Sequence, residues 1–223
     1  MVDLTQFSSR EDALEKIKPR SRYVEMASDA VLPIPTDMGM NVSWLFWLSA
    51  IARAQGLHSA IAREAQETNP HAVIPLIRTF AETVVLVMYV NDFPDYIDTL
   101  TVDASELPKG GPKRRSIQAL INHASQHATQ IKDVYRQLSE GTHFGALAMW
   151  TSHIPEEDGE GGRKVSWSSE PRWRDDEQAL IACALTLELA EAMEATLRIF
   201  ARRHILPLKL RALSEQGTQA IRD

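Results

Sequence analysis

The residues of this chain whose types and spacing could do chemistry fall into three groups. The first lies in the stretch from Asp133 to Trp150, DVYRQLSEGTHFGALAMW, and comprises Tyr135, Arg136, Ser139 and His143. Tyr135 and Ser139 stand four apart, so they share a helical face. His143 follows Gly141, where the helix is expected to break. A neutral imidazole both donates and accepts, and it titrates near neutrality. Two readings stay open: a general acid–base site, or a cap in which Ser139, Thr142 and His143 satisfy backbone groups at a helix end.

The second group is Arg78 and Glu82, also four apart, inside the most apolar stretch of the chain. Charges there are costly unless paired or hydrogen-bonded. They form either a structural ion pair or part of a polar pocket in a bundle. The third is His123 and His127, at the spacing of a zinc-binding helix. Ala124 stands where such a motif has glutamate, and Asp133 and His143 qualify as a third ligand by type alone. Glu188, Glu191 and Glu194 form an acidic ridge without the Glu-x-x-His pattern of a di-iron bundle. No phosphate-loop, dinucleotide or nucleophile-elbow motif is present. The expectation is no metal and no cofactor.

The elements that must position these groups read as helices. Ser8 or Ser9 followed by Glu11 and Asp12 starts the first, and Pro19 ends it. A second short helix is expected over 20–31, then an extended connector at Pro33 and Pro35. Trp44, Leu45, Trp47, Leu48 and Ile51 recur at helical spacing, with a kink expected at Gly56. Asn69 and Pro70 form an N-cap and N1 pair for a helix to about Tyr89 that is apolar nearly all round, as suits the centre of a bundle. Its β-branched run, Thr83 to Val87, would also suit a buried strand, but length and the cap favour helix. PDYIDTL is expected to add a helical turn, and ELPKGGPKRRS to form a solvated loop, a phosphate contact being the alternative. Helix returns over 116–140. After Trp150 comes a turn-rich insertion, in which GRKVSWSSEPRW is expected to hold a short two-stranded excursion. Asp175 and Asp176 then cap a long helix to about Arg203, and Pro207 permits a last one over 208–216.

The bulk composition excludes several classes. Hydrophobic residues are 44% and charged residues 24% of 223 positions, ordinary for a globular protein. A net charge of −6 argues against a surface built mainly for nucleic acid. The single cysteine, Cys183, rules out an intrachain disulfide and a cysteine-based zinc framework; in its apolar run it reads as a small buried hydrophobe. The N-terminus lacks the apolar core of a signal peptide. The longest apolar run, Thr83 to Val90, is too short to span a bilayer. A cytoplasmic setting without membrane contact is expected.

The helix bearing Arg78-x-x-x-Glu82, followed by Tyr135-x-x-Leu138-Ser139-x-x-x-His143, resembles a bacterial family of helical proteins of unknown function over roughly Leu57 to the end of the long helix. That family is more distantly similar to the HEPN helical bundles, many of them metal-independent ribonucleases of toxin and phage-defence systems. HEPN nucleases carry an Arg, a polar residue and a later His. Here QLSEGT separates Arg136 from His143, and Gln137 follows the Arg where those enzymes have Asn, Asp or His. The resemblance implies attack of an RNA 2′-hydroxyl on the adjacent phosphate. His143 would act as acid or base and Arg136 would stabilise phosphate charge, in a site completed across a homodimer.

These observations predict an all-α, single-domain bundle over 1–223: N-terminal helices and connector over 1–36, core helices over 41–150, an insertion over 151–175, and C-terminal helices over 176–223. The first functional expectation is a soluble protein that binds a small ligand or partner in a polar pocket, with Arg78, Glu82, Tyr135 and Ser139 as its cluster. The alternative is a HEPN-like ribonuclease acting through Arg136 and His143.

Overall fold

Local capping chemistry starts most of the helices. The computed structural model describes residues 3–19, 23, 25, 26, 41–103, 105–107, 113–143, 151, 153–157, 162–167, 169–208 and 210. Helix α1 (Arg10–Lys16) begins at Ser9, whose hydroxyl accepts from the Asp12 amide at 3.1 Å, while Asp12 accepts from the Ser8 amide at 2.9 Å. Helix α2 (Val42–Gln66) is capped by Asn41, and α3 (Pro70–Asp92) by Asn69 with Pro70 at its first position. A 3₁₀ turn, Pro94–Thr99, follows. Helices α4 (Ile117–Ala124) and α5 (Ile131–Thr142) come next. Strands β1 (His153–Glu157) and β2 (Arg163–Trp167) lead to α6 (Asp176–Phe200), capped by Asp175. A π-helical stretch, Ala201–Ile205, extends α6.

Helix α3 is the axis of the molecule. Helices α2, α4, α5 and α6 all pack on it, and α2 also packs on α6. Val73, Ile77, Phe80, Val84, Val85, Val87 and Val90 are buried and cover more than one stripe, so a partner is needed on every side. Pro75 lies in the second turn, and the helix runs through it. Between them, Trp47 of α2 donates to the Leu197 carbonyl of α6 at 3.1 Å, and Asn91 of α3 donates to the Thr196 carbonyl at 3.1 Å. Helix α1 closes one side through Ile17, whose carbonyl lies 2.6 Å from His58 Nε2 in the core. The all-α bundle expected from periodicity is the observed fold, and the run at Thr83 to Val87 is helix.

Several boundaries differ from the sequence expectation. Gly56 does not split α2, which runs unbroken from Val42 to Gln66, with flanking Ala54 and His58 packed in the core. The expected helix over 116–140 is two, because the polar run Ser125 to Gln130 turns the chain; the Ser125 hydroxyl bonds back to the Asn122 carbonyl at 2.8 Å. Gly141 does not end α5, which closes at Thr142 with His143 as its C-cap. The excursion after residue 150 is a two-stranded antiparallel ribbon that recruits HIPEE, upstream of the expected segment, with Pro155 opposite Val165. The long helix departs from α geometry after Phe200, just before Pro207, whose ring lacks an amide proton. The short helix and connector expected over 20–40, and the last helix over 208–216, lie mostly outside the described residues.

Helix α3 as a whole is long and apolar enough to cross a membrane by composition, more than the run Thr83 to Val90 indicates. Its apolar surface faces four other helices, as in the core helix of a globular bundle.

Candidate functional site

Arg78 and Glu82 project from α3 toward α5, and Tyr135 of α5 meets them. Arg78 Nε donates to Glu82 Oε1 at 3.1 Å; Nε and Nη2 reach the Tyr135 hydroxyl at 3.2 and 2.9 Å. That hydroxyl donates to Glu82 Oε1 at 2.7 Å, and the Arg78 guanidinium carbon lies 5.1 Å from the Tyr135 ring centroid. The three side chains close a ring of hydrogen bonds in a half-buried position between α3 and α5. Burial pushes the Tyr135 phenol above its ordinary value, and its bond to Glu82 adds to this against the opposing effect of Arg78. The raised phenol keeps its proton, which it donates to Glu82 Oε1. Ser139 does not join the ring: its hydroxyl bonds the Tyr135 carbonyl one turn back at 2.8 Å, and Thr142 does the same to Leu138 at 2.7 Å.

Glu82 also lines a cleft of about 730 Å³ between α2, α3, the 3₁₀ turn and α4. Its walls are mainly apolar, from Phe46, Leu86, Val87, Ile97, Leu100 and Ile117. Ser49, Arg53, Thr83 and Thr101 bring polar atoms to it. Arg53 Nε donates to the Thr83 hydroxyl at 3.2 Å, which donates in turn to the Thr79 carbonyl at 2.8 Å. Arg53 is the only cation among the described residues of the cleft wall. No carboxylate among the described residues pairs with it. Arg53 and Thr83 carry no recognisable motif; a helical wheel places Arg53 one turn from Ser49 on α2, but only the packing of α2 on α3 shows that this face meets Glu82.

Arg136 is exposed and pairs with Asp133 one turn back at 3.1 Å. His143 is exposed at the C-cap, where its amide donates to the Ser139 carbonyl at 3.2 Å. Because α5 is continuous through Gly141, the two lie two turns apart on one face, with their Cα atoms roughly 10 Å apart along the axis. Gln137 lies on a different face and lines a small notch with Ile77, Trp173 and Gln178. The basic run after the loop is partly tied down: Arg114 donates to the carbonyls of Thr99 at 3.1 Å and Val102 at 2.6 Å, and the Arg115 amide donates to the Tyr96 hydroxyl at 2.7 Å.

The two histidines of α4 and its following turn find a partner that periodicity does not reveal. Asp92, the last residue of α3, places Oδ2 3.0 Å from His123 Nε2 and 3.4 Å from His127 Nε2. Its other oxygen accepts from Arg203 at 3.0 Å. Burial pushes the Asp92 carboxyl up, but Arg203 and the imidazoles outweigh it and hold the group below the ordinary aspartate range. Neither Asp133 nor His143 takes part. The i,i+4 histidine pair is legible in the sequence; Asp92 is not, because it reads as the polar end of an apolar helix.

No model of a known protein family matches the chain, and no significant match exists among the curated proteins or among the solved structures.

Proposed function

We propose that this chain binds a small amphipathic ligand, an apolar body ending in an anionic group, in the cleft between α2, α3 and α4. The observation that carries this reading is the combination of an apolar cavity of about 730 Å³ with one cation on its wall, Arg53, held by Thr83. Ligand sites are typically apolar concavities of this size with a few placed polar groups. The Arg78–Glu82–Tyr135 ring supports it from behind: it neutralises Glu82 and fixes its position, so that Arg53 sets the sign of the site. A cytoplasmic setting goes with this reading. The anionic dye anilinonaphthalene sulfonate serves as probe. Its fluorescence should rise on binding to the native chain, and Arg53→Ala should weaken that binding about tenfold, the worth of one charge-assisted hydrogen bond. Equal affinity of the two proteins would remove Arg53 from the site.

A second reading is favoured by the continuity of α5. With Arg136 and His143 two turns apart on one exposed polar face, a phosphodiester held there could meet both, and a second copy could supply the opposing pair. This is the HEPN-like ribonuclease proposal, with RNA as substrate and His143 as proton donor or acceptor. Its test is cleavage of a mixed RNA pool by the wild type beside His143→Ala. The proposal requires loss of cleavage in the variant; identical cleavage patterns, or none from either, refute it.

A further inference from the structure

We infer that Asp92, His123 and His127 form a binding site for a divalent first-row transition cation, open to solvent on one side. None of the three lines the apolar cleft, so the site is distinct from the one proposed above.

The donor set is a carboxylate and two imidazoles, the combination used for zinc sites with an open position and for facial-triad iron. The three candidate ligand atoms all lie within 4.8 Å of one another, and the two O–N separations are 3.0 and 3.4 Å. A tetrahedral zinc ion with bonds of about 2.0–2.1 Å places its ligand atoms roughly 3.3 Å apart. The carboxylate oxygen thus already stands at ligand spacing from both imidazole nitrogens, and a small rotation of His127 completes the set. A bound ion takes the Nε2 lone pair of each neutral imidazole, whose proton then sits on Nδ1.

The surroundings hold these groups as a metal site holds its ligands. Arg203 occupies only Asp92 Oδ1, which aims Oδ2 at the histidines. Such hydrogen bonds to ligating carboxylates are a recurrent feature of metal centres. The His123 ring is fixed by edge contacts with Tyr89 and Phe93, at 5.2 and 5.4 Å between centroids. Arg203 and His204 both lie in the π-helical stretch after α6, and each reaches the end of α3: Arg203 to Asp92, and His204 Nε2 to the Asn91 carbonyl at 3.3 Å. Widened turns of this kind occur often at functional sites. Exposure rises from 14% for the His123 side chain to 52% for His127, which leaves one side free for water or an exogenous ligand.

The test uses the full chain, stripped with a chelator and titrated with zinc chloride in a calorimeter, then with cobalt(II) for its visible absorption. The inference expects one zinc per chain in the micromolar range and cobalt bands of low symmetry. It expects His127→Ala and Asp92→Asn each to weaken zinc binding by at least about tenfold. His127 is half exposed and Asp92→Asn keeps the side-chain shape; circular dichroism confirms that both variants fold. No zinc binding by the wild type overturns the inference. So does unchanged affinity in either folded variant, because a three-ligand site needs both.

Discussion

Tyr135 is the residue on which the α3–α5 junction turns. Its hydroxyl accepts from Arg78 and donates to Glu82, so one oxygen satisfies both charges of an ion pair set in an apolar helix. Without that oxygen, Arg78 and Glu82 keep their direct contact at 3.1 Å, but each loses a partner in a half-buried position. Tyr135→Phe should therefore destabilise the fold by about 1 kcal/mol, read as a lowered midpoint in urea with an unchanged slope. A midpoint equal to the wild type would mean that the ring of hydrogen bonds adds nothing beyond the ion pair. The types and the four-residue spacing of Arg78 and Glu82 announce a pair; nothing about them announces that a tyrosine fifty-odd positions away completes it.

At the scale of elements, the junction between α2 and α3 shows how locally a helix end is written. Thr68 has φ 57°, the left-handed region. Its amide bonds the Ala65 carbonyl at 3.2 Å, and the Asn69 amide bonds the Glu64 carbonyl at 3.2 Å. This is a Schellman closure with a β-branched residue where glycine is favoured. Three residues of turn thus serve as both the stop of α2 and the start of α3. Conversely, Gly56 lies in the middle of α2, exposed and with open space around its Cα. Glycine is disfavoured in the helix interior at 56 and favoured at the left-handed position 68, where threonine stands. Gly56→Ala should raise stability by about 0.5–1 kcal/mol, and Thr68→Gly should raise it by a similar amount. A calorimetric melt reads both; a lowered melting temperature for Gly56→Ala would show that α2 needs a flexible point there after all.

For the whole molecule, the placement of α3 among four helices decides what is accessible. Cys183 on α6 is buried against this core, and burial pushes its thiol up to about 11. Its thiolate population is then about a hundredfold below that of an ordinary cysteine at neutral pH. An Ellman-type reagent should leave the native protein unlabelled and react with one thiol per chain once urea unfolds it. Labelling that tracks the global unfolding midpoint is the expected result; fast labelling in water would mean that α6 opens separately. The same centrality means that α3, long and apolar enough by composition to cross a membrane, buries more than half of its apolar stretch against other helices.

Periodicity, caps and breakers are properties of neighbouring residues, and they were enough to specify the class of fold, the starts of α1, α3 and α6, the central position of α3, and the special status of Arg78 and Glu82. They missed the turn that divides α4 from α5, because Ser125 to Gln130 is polar without a proline or glycine. They also placed the end of α5 too early: the helix carries Gly141 and closes at Thr142, whose hydroxyl bonds the Leu138 carbonyl. What the tertiary structure alone decided is which distant groups meet. Tyr135 joins Arg78 and Glu82, Arg53 and Glu82 come to line one cleft, and Asp92 meets His123 and His127 with Arg203 on its other oxygen. Each of these depends on the register of one helix against another. That register is set by the shapes of many buried side chains at once, and no short spacing along the chain encodes it.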